Sequence, residues 1–393
     1  MTSPAIAYSD SVELFKHSMS RVLAEHLGYL SLPHRLDLYW AAVQQLVRPG
    51  DTVIDVGCGK AALGSLCLQA GVAQVHAIDS TLAIEVARRA LKRAGWAPKA
   101  DFISGSSFQV DLPERVDVVI CDHVGYFGFD YGLIGLLADA RKRFLKPGGT
   151  LIPGRLKLHI GAVESKKGRQ LADAWQEPGI PPEFHWVRQH SVNSKHAVNL
   201  QRDELLTDPA ELCCIDLQVD QPEFFSWSAQ LTVQRDGVLH GLAGWFECEL
   251  AEGVWMTNSP LSDSGIDGSQ AFLPIDEPLP VKSGEVLDVT VMARPEDHMI
   301  AWVVAHSVSG RRFSHSTWQG DLLDREQMVR SHPDHIPQVS RTAHARSLVL
   351  GYCDGQRSMA QVQAAVLHDH PALFPSREET TRFITTVLSR DTQ

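Results

Sequence analysis

The sequence predicts an α/β protein: a doubly wound, mostly parallel sheet, then an antiparallel β-barrel or sandwich, then a small helical C-terminal module. Three observations lead there. Between residues 51 and 155, apolar runs of strand length alternate with amphipathic helical stretches in a βαβα order. From residue 211 to 306 the pattern changes to period-2 alternation punctuated by Gly, Pro and Asp. Residues 341–391 return to helical spacing. A chain of 393 residues suggests two or three domains, and 44% hydrophobic residues suffice for a sizeable core.

The elements follow in order. Residues 9–47 have helical periodicity, ending in RLDLYWAAVQQLV, and Arg48-Pro49-Gly50-Asp51 breaks it. DTVIDVG (51–57) is a buried strand, ALGSLCLQAG (62–71) a short helix closed by Gly71, and VHAID (75–79) a second strand. LAIEVARRALKRAG (82–95) is an amphipathic helix stopped by Gly95. DFISG and VDVVICD are strands, and YGLIGLLADARKRFL is a helix whose last turn is basic, as its dipole favours. KPGG is expected to turn the chain into the strand TLIP. The resulting division is an N-terminal helical segment (1–50), a Rossmann-like domain (51–155), a β domain (156–320) and a small C-terminal module (335–393). Within the β domain, residues 163–200 are polar and irregular.

Composition excludes several functions. The formal net charge is −11 and no basic stripe is present, which argues against nucleic acid. Seven cysteines form no CxxC pair and no metal-like spacing, as expected of reduced thiols in a cytoplasmic protein without a metal. The first residues lack the basic and apolar regions of a signal peptide, and no apolar run is long enough to span a membrane.

VIDVGCGKAALG (53–64) joins a buried strand to a helix N-terminus. Gly57 and Gly59 permit a tight turn and close backbone approach to a ligand. Asp79 ends the next strand, where a carboxylate can accept hydrogen bonds from ribose hydroxyls. A dinucleotide motif would need a third glycine at position 62, which is Ala. The pattern D-x-G-x-G beginning at Asp55 instead resembles the S-adenosylmethionine (SAM) site of class I methyltransferases.

The resemblance becomes more specific along the chain. His26 and Arg35, DVGCG, QAGVAQVHAID, VDLPERVDVVI, the Gly125-Tyr126 pair, FLKPGGTLIP, HGLAGWFECEL, TNSP and PLPVKSGEVL occur in the order seen in the protein arginine methyltransferase family. That resemblance implies a class I methyltransferase domain, a β-barrel, and a dimerisation arm near residues 163–200, hence a homodimer. It implies that Arg35 binds the methionine carboxylate of SAM and that His26 lines the methionine end. Gly57, Cys58 and Gly59 would hold the cofactor through their backbone. Asp79, with Ser80 beside it, would take the ribose, and Ser106 and Ser107 would lie along the adenine. The family's adenine-binding glutamate falls on Phe108, and its third motif glycine on Ala61.

CDHVGYFGFDYG (121–132) occupies the position of the family's double-glutamate loop, where two carboxylates grip a substrate guanidinium. Here Asp122 takes the first position and Tyr131 the second. Asp130 is an adjacent substrate-side candidate whose side chain is expected to point elsewhere. The family's Thr-His-Trp loop falls near Gly265, Ile266 and Asp267, leaving Asp267 as a candidate acceptor contact, and its N-terminal tyrosine pair has no counterpart. Asp122 could orient an acceptor, His123 take a proton, and Tyr126 and Tyr131 form walls or donate hydrogen bonds. With the cofactor side kept and the substrate side altered, the sequence suggests methyl transfer to a nitrogen or aromatic-ring acceptor in a small metabolite or modified peptide, as in natural product biosynthesis. Protein arginine methylation and a non-catalytic SAM-binding partner are the alternatives. The C-terminal module resembles the small winged-helix-like domain of pyrroloquinoline-quinone biosynthesis.

Overall fold

The computed structural model describes residues 27–392. They form two compact units that part after Leu322. The first begins with helix α1 (Arg35–Leu46), whose Tyr39, Ala42 and Val43 are buried. Five parallel strands follow: β1 (Thr52–Val56), β2 (Gln74–Asp79), β3 (Ala100–Ser104), β4 (Val116–Cys121) and β5 (Leu145–Ile152). Their order is β3-β2-β1-β4-β5. The chain reverses its direction of winding between β1 and β4, which is where doubly wound sheets open a ligand crevice. Helices α2 (Ala62–Gln69), α3 (Ala83–Arg93) and α4 (Leu133–Arg143) connect the strands. On α3, Ala83, Ile84, Ala87 and Leu91 make the buried stripe, and Gly95 just past its end has φ +80°, the left-handed geometry expected of a helix stop.

One local expectation fails. KPGG lies inside β5, because the ladder with β4 shifts register there: Val116 pairs with Leu145, and Val118 with Thr150. The bulge absorbs the extra residues, with Gly148 at φ +75°.

The antiparallel part holds ten strands. They are β6 (Arg155–Val163), β7 (His196–Val198), β8 (Ala210–Asp216), β9 (Phe225–Thr232), β10 (Gly237–Ala251), β11 (Val254–Thr257), β12 (Gln270–Val281), β13 (Val286–Arg294), β14 (Met299–His306) and β15 (Arg312–Ser316). One sheet runs β7-β12-β10-β6-β8, with β11 on β10, and the other β15-β14-β13-β9. A single apolar cluster extends from Tyr39 and Val53 to Leu239 and Trp302, so the Rossmann-like and β parts share one core. The irregular segment after β6 contains two short helices, α5 (Lys166–Asp173) and α6 (Arg188–Ser191). It exposes Leu171, Trp175, Phe184 and Trp186.

The second unit packs Arg341–Leu350, Met359–Asp369 and Arg377–Asp391 around Val349, Val362, Val366, Ile384, Val387 and Leu388. Each helix starts at a serine, Ser340, Ser358 or Ser376, whose hydroxyl accepts a backbone N–H three residues on. Among its described residues this unit is helical and contains no strand, in keeping with the small helical module expected there. Among the described residues, no helix is long and apolar enough to cross a membrane.

Candidate active site

The carboxyl ends of β1, β2 and β4 meet at one crevice. After β1, Gly57 has φ +67° and Gly59 φ +52°, conformations costly for a residue with a Cβ. Ala61, where the family has glycine, is held at φ +55° nonetheless. The cleft is lined by Gly57, Ile78, Asp79, Ser80, Thr81, Gly105, Ser106, Ser107, His123 and Leu136. Thus Gly57, Asp79, Ser80, Ser106, Ser107 and His123, all singled out from sequence, do come together. Asp79 binds the walls to one another: it accepts from Gly59 N (2.8 Å), Thr81 N (2.7 Å) and the Thr81 hydroxyl (2.6 Å). A carboxylate, three serines and glycine walls of positive φ form a donor and acceptor set that suits an adenosine group.

Two cofactor-side candidates, Asp55 and Cys58, lie away from the cleft lining. Asp55 does not line the cleft; it is 2% exposed and accepts the Gly64 N–H at the start of α2, so it anchors the glycine turn from behind. Burial raises its carboxyl to about 7, the Gly64 N–H opposes this, and the charge of Asp79 adds to it. Cys58 is buried, with its N–H on Ile78 O, and does not line the cleft either. Phe108, at the adenine-acid position, is exposed. His26 lies outside the described residues.

On the acceptor side, Asp122 follows β4 and forms an ion pair with Arg35 from α1. Tyr39, one turn along the same helix face, donates to Asp122 Oδ1 (2.9 Å) and to Cys121 O (3.2 Å). Tyr39 is fully buried and was not singled out from sequence, although its i,i+4 spacing from Arg35 carries the signal. Arg35 also donates to Tyr29 O (2.8 Å). Burial draws Arg35 below the usual guanidinium range, an effect the Tyr39 and Tyr29 phenols oppose. The His123 ring lies over Gly57, where a Cβ would collide with it, and its Nδ1 is 3.4 Å from Cys121 Sγ. Tyr131 is 45% exposed, accepts from the Tyr29 hydroxyl at 2.9 Å, and meets the His123 ring edge-on at 6.4 Å. Burial pushes the Tyr126 phenol up to about 12, so it remains a neutral hydroxyl.

Asp130 is not open to an acceptor. Its side chain is 4% exposed; one oxygen accepts from Tyr126 N (2.8 Å) and Phe127 N (2.5 Å), and the other pairs with Lys195. Burial pulls the Lys195 ammonium down to about 7, and the Asp130 carboxylate lies directly against it. Asp267 is exposed in the loop after Asn258. Asn258 itself is buried and donates to Tyr126 O at 2.8 Å, joining that loop to the acceptor loop. Asn258 lies in the TNSP motif and Lys195 in no motif, but nothing local ties either to a loop 65 or more positions away.

Comparison with known proteins agrees with this geometry. Residues 53–149 match the model of a methyltransferase domain, and residues 155–303 match the arginine methyltransferase oligomerization subdomain. The chain is 26% identical over 284 residues to protein arginine N-methyltransferase 6 of Xenopus laevis, covering 68% of this chain and 83% of that protein. It is 27% identical over 271 residues to the arginine N(omega)-methyltransferase of Streptomyces achromogenes subsp. streptozoticus, covering 67% and 74%. The chain is thus arginine methyltransferase-like in both parts, a class I methyltransferase domain followed by a match to the oligomerization subdomain. It is a SAM-dependent methyltransferase, which sets aside the non-catalytic reading. The fold is that of the Trypanosoma brucei PRMT1 enzyme-prozyme heterotetrameric complex with AdoHcy, with a TM-score of 0.63 and 20% identity over 72% of this chain and 94% of that one.

The preference for a small-metabolite or aromatic-ring acceptor is corrected. It rested on three altered substrate-side signatures, the second glutamate, the Thr-His-Trp loop and the N-terminal tyrosine pair, yet the matches run to arginine methyltransferases through both halves of the first unit, oligomerization subdomain included. Three changed short motifs are weaker evidence of acceptor class than a match sustained over that length.

Proposed function

We propose that this arginine methyltransferase-like enzyme methylates a guanidinium nitrogen of arginine residues in proteins or peptides. The observation that carries the reading is Asp122: a carboxylate held at the cofactor crevice by Arg35 and Tyr39. A carboxylate has about four lone-pair positions; this one is 13% exposed, so an entering guanidinium would share its oxygens with Arg35 and Tyr39. SAM, when bound, supplies an electrophilic sulfonium methyl group. Gly57, Gly59, Asp79, Ser80, Ser106 and Ser107 would hold it. Asp122 accepts N–H bonds from the guanidinium, keeps its charge compensated and directs one nitrogen toward the cleft; such alignment is worth effective molarities of ~10⁵ M or more. His123, which lines the same cleft, takes the proton released from that nitrogen, a role suited to an imidazole near neutral pH. Tyr131 presents a phenol hydroxyl where the family has its second carboxylate.

A homodimer through the segment 163–200 is part of the proposal, supported by the exposed Trp175, Phe184 and Trp186 and by the oligomerization-subdomain match. So is a reducing, cytoplasmic setting, which suits cysteines kept as thiols.

The test is transfer of label from SAM to arginine-containing peptides, with acid hydrolysis and identification of the labelled amino acid. Label in Nω-methylarginine, abolished by Asp122→Ala, supports the reading. Label in another amino acid, or undiminished label in the variant, overturns it.

A further inference from the structure

Lys195 stands immediately before β7, at the end of the irregular segment that carries the exposed aromatic residues. Its side chain turns inward and is only 15% exposed. The ammonium meets the Asp130 carboxylate and lies 4.6 Å from the centroid of the Tyr126 ring. Asp130 simultaneously accepts the Tyr126 and Phe127 N–H groups. Three donors therefore converge on one buried carboxylate, two from the turn beginning at Gly125 (φ +68°) and one from the far segment. On the other side of the same residue, Asn258 holds the Tyr126 carbonyl. The residue that follows Asp130 is Tyr131, and Asp122 lies only eight positions before it. The shape of the turn thus decides where Tyr126 and Tyr131 stand relative to Asp122.

We propose that Lys195 is a positioning residue for methyl transfer, which through Asp130 holds the Gly125–Tyr131 turn in its acceptor-ready shape and ties that shape to the seating of the oligomerization segment. The inference rests on the reading that this loop receives the acceptor. Removing the ammonium leaves a buried carboxylate with two N–H partners and one unanswered charge, so the turn must open to admit water.

The experiment compares the full-length wild-type chain with Lys195→Met, Lys195→Arg and the double variant Lys195→Met with Asp130→Asn. Three readouts are taken: kcat and KM toward an arginine peptide, S-adenosylhomocysteine affinity by calorimetry, and amide hydrogen exchange across residues 121–132 and 53–64. Lys195→Met is expected to lower kcat at least tenfold with less than a threefold change in KM. Cofactor-product affinity should stay within twofold, and exchange should rise at Tyr126 and Phe127 but not in 53–64. Lys195→Arg should recover part of kcat. If Lys195→Met does not fold, the double variant is read in its place: the tie to the far segment is gone but no charge is stranded, so kcat should fall and exchange at Tyr126 and Phe127 should rise, each by less than a stranded charge would cause, and wild-type values in both would overturn the proposal.

Unchanged kcat with faster exchange makes Lys195 merely structural and overturns the proposal. Unchanged exchange overturns it regardless of activity. Should the wild type methylate no arginine peptide, the exchange measurement still decides whether Lys195 holds the turn, so failure of the acceptor assignment is read separately from failure of this one.

Discussion

Replacing Tyr39 with Phe probes the Asp122 carboxylate without making a cavity. The phenyl ring keeps the packing of a fully buried side chain and only the hydroxyl is lost. That hydroxyl makes two bonds, 2.9 Å to a charged oxygen and 3.2 Å to the Cys121 carbonyl. A hydrogen bond to a charged group contributes about 1.5–3 kcal/mol, and Asp122 keeps its Arg35 partner, so about 2 kcal/mol is expected for the substitution. If that energy acts in the transition state, it corresponds to roughly a 30-fold fall in kcat/KM. The assay pairs urea unfolding with methyl transfer to an arginine peptide, for wild type, Tyr39→Phe, Asp122→Asn and the double variant. The two residues should be coupled by more than about 0.5 kcal/mol. Additive effects, or a Tyr39→Phe enzyme of wild-type kcat/KM, would refute the view that Tyr39 orients the carboxylate for chemistry.

Other outcomes follow from the same geometry. Gly57→Ala should lower S-adenosylhomocysteine affinity more than tenfold in calorimetry, because an alanine at φ +67° costs about 1–2 kcal/mol and its Cβ meets the His123 ring; adding His123→Ala should relieve the collision and leave the backbone strain. Asp55 binds a proton more tightly when folded, with a carboxyl raised from 3.8 to about 7, so its contribution is full below pH ~4 and is lost as pH rises to about 7, an upper bound of roughly 4 kcal/mol. Asp55→Asn, which can still accept the Gly64 N–H, should flatten the urea midpoint between pH 4 and 7; an unchanged profile would remove Asp55 as the cause. Trp186→Ala, at a side chain 52% exposed, should shift the sedimentation profile toward monomer and reduce turnover, whereas an unshifted profile would place the interface elsewhere.

The order of layers was legible from the chain alone because binary pattern is local. Val53, Ile54 and Val56 are apolar in a run and buried on both faces of β1, while α3 repeats at helical spacing and covers one face. The glycine turn, Asp79 and the Ser106-Ser107 pair were legible for the same reason: each sits at the end of a strand, where backbone geometry fixes a short motif. KPGG misled because a turn-forming tetrapeptide can also be absorbed as a bulge, and only pairing with β4 decides between the two.

The acceptor loop was harder. Its composition marked Asp122 and Tyr131, but the fate of Asp130 depended on a lysine 65 positions away and that of Tyr126 on an asparagine 132 positions away. Sequence by itself determined the fold class, the cofactor crevice and one carboxylate at its edge, since these follow from local periodicity and strand-end turns. Tertiary structure alone decided which of two neighbouring carboxylates pairs with Lys195 and which with Arg35. A buried charge must find its counter-charge wherever the chain brings one, and that partner is set by the packing of distant elements.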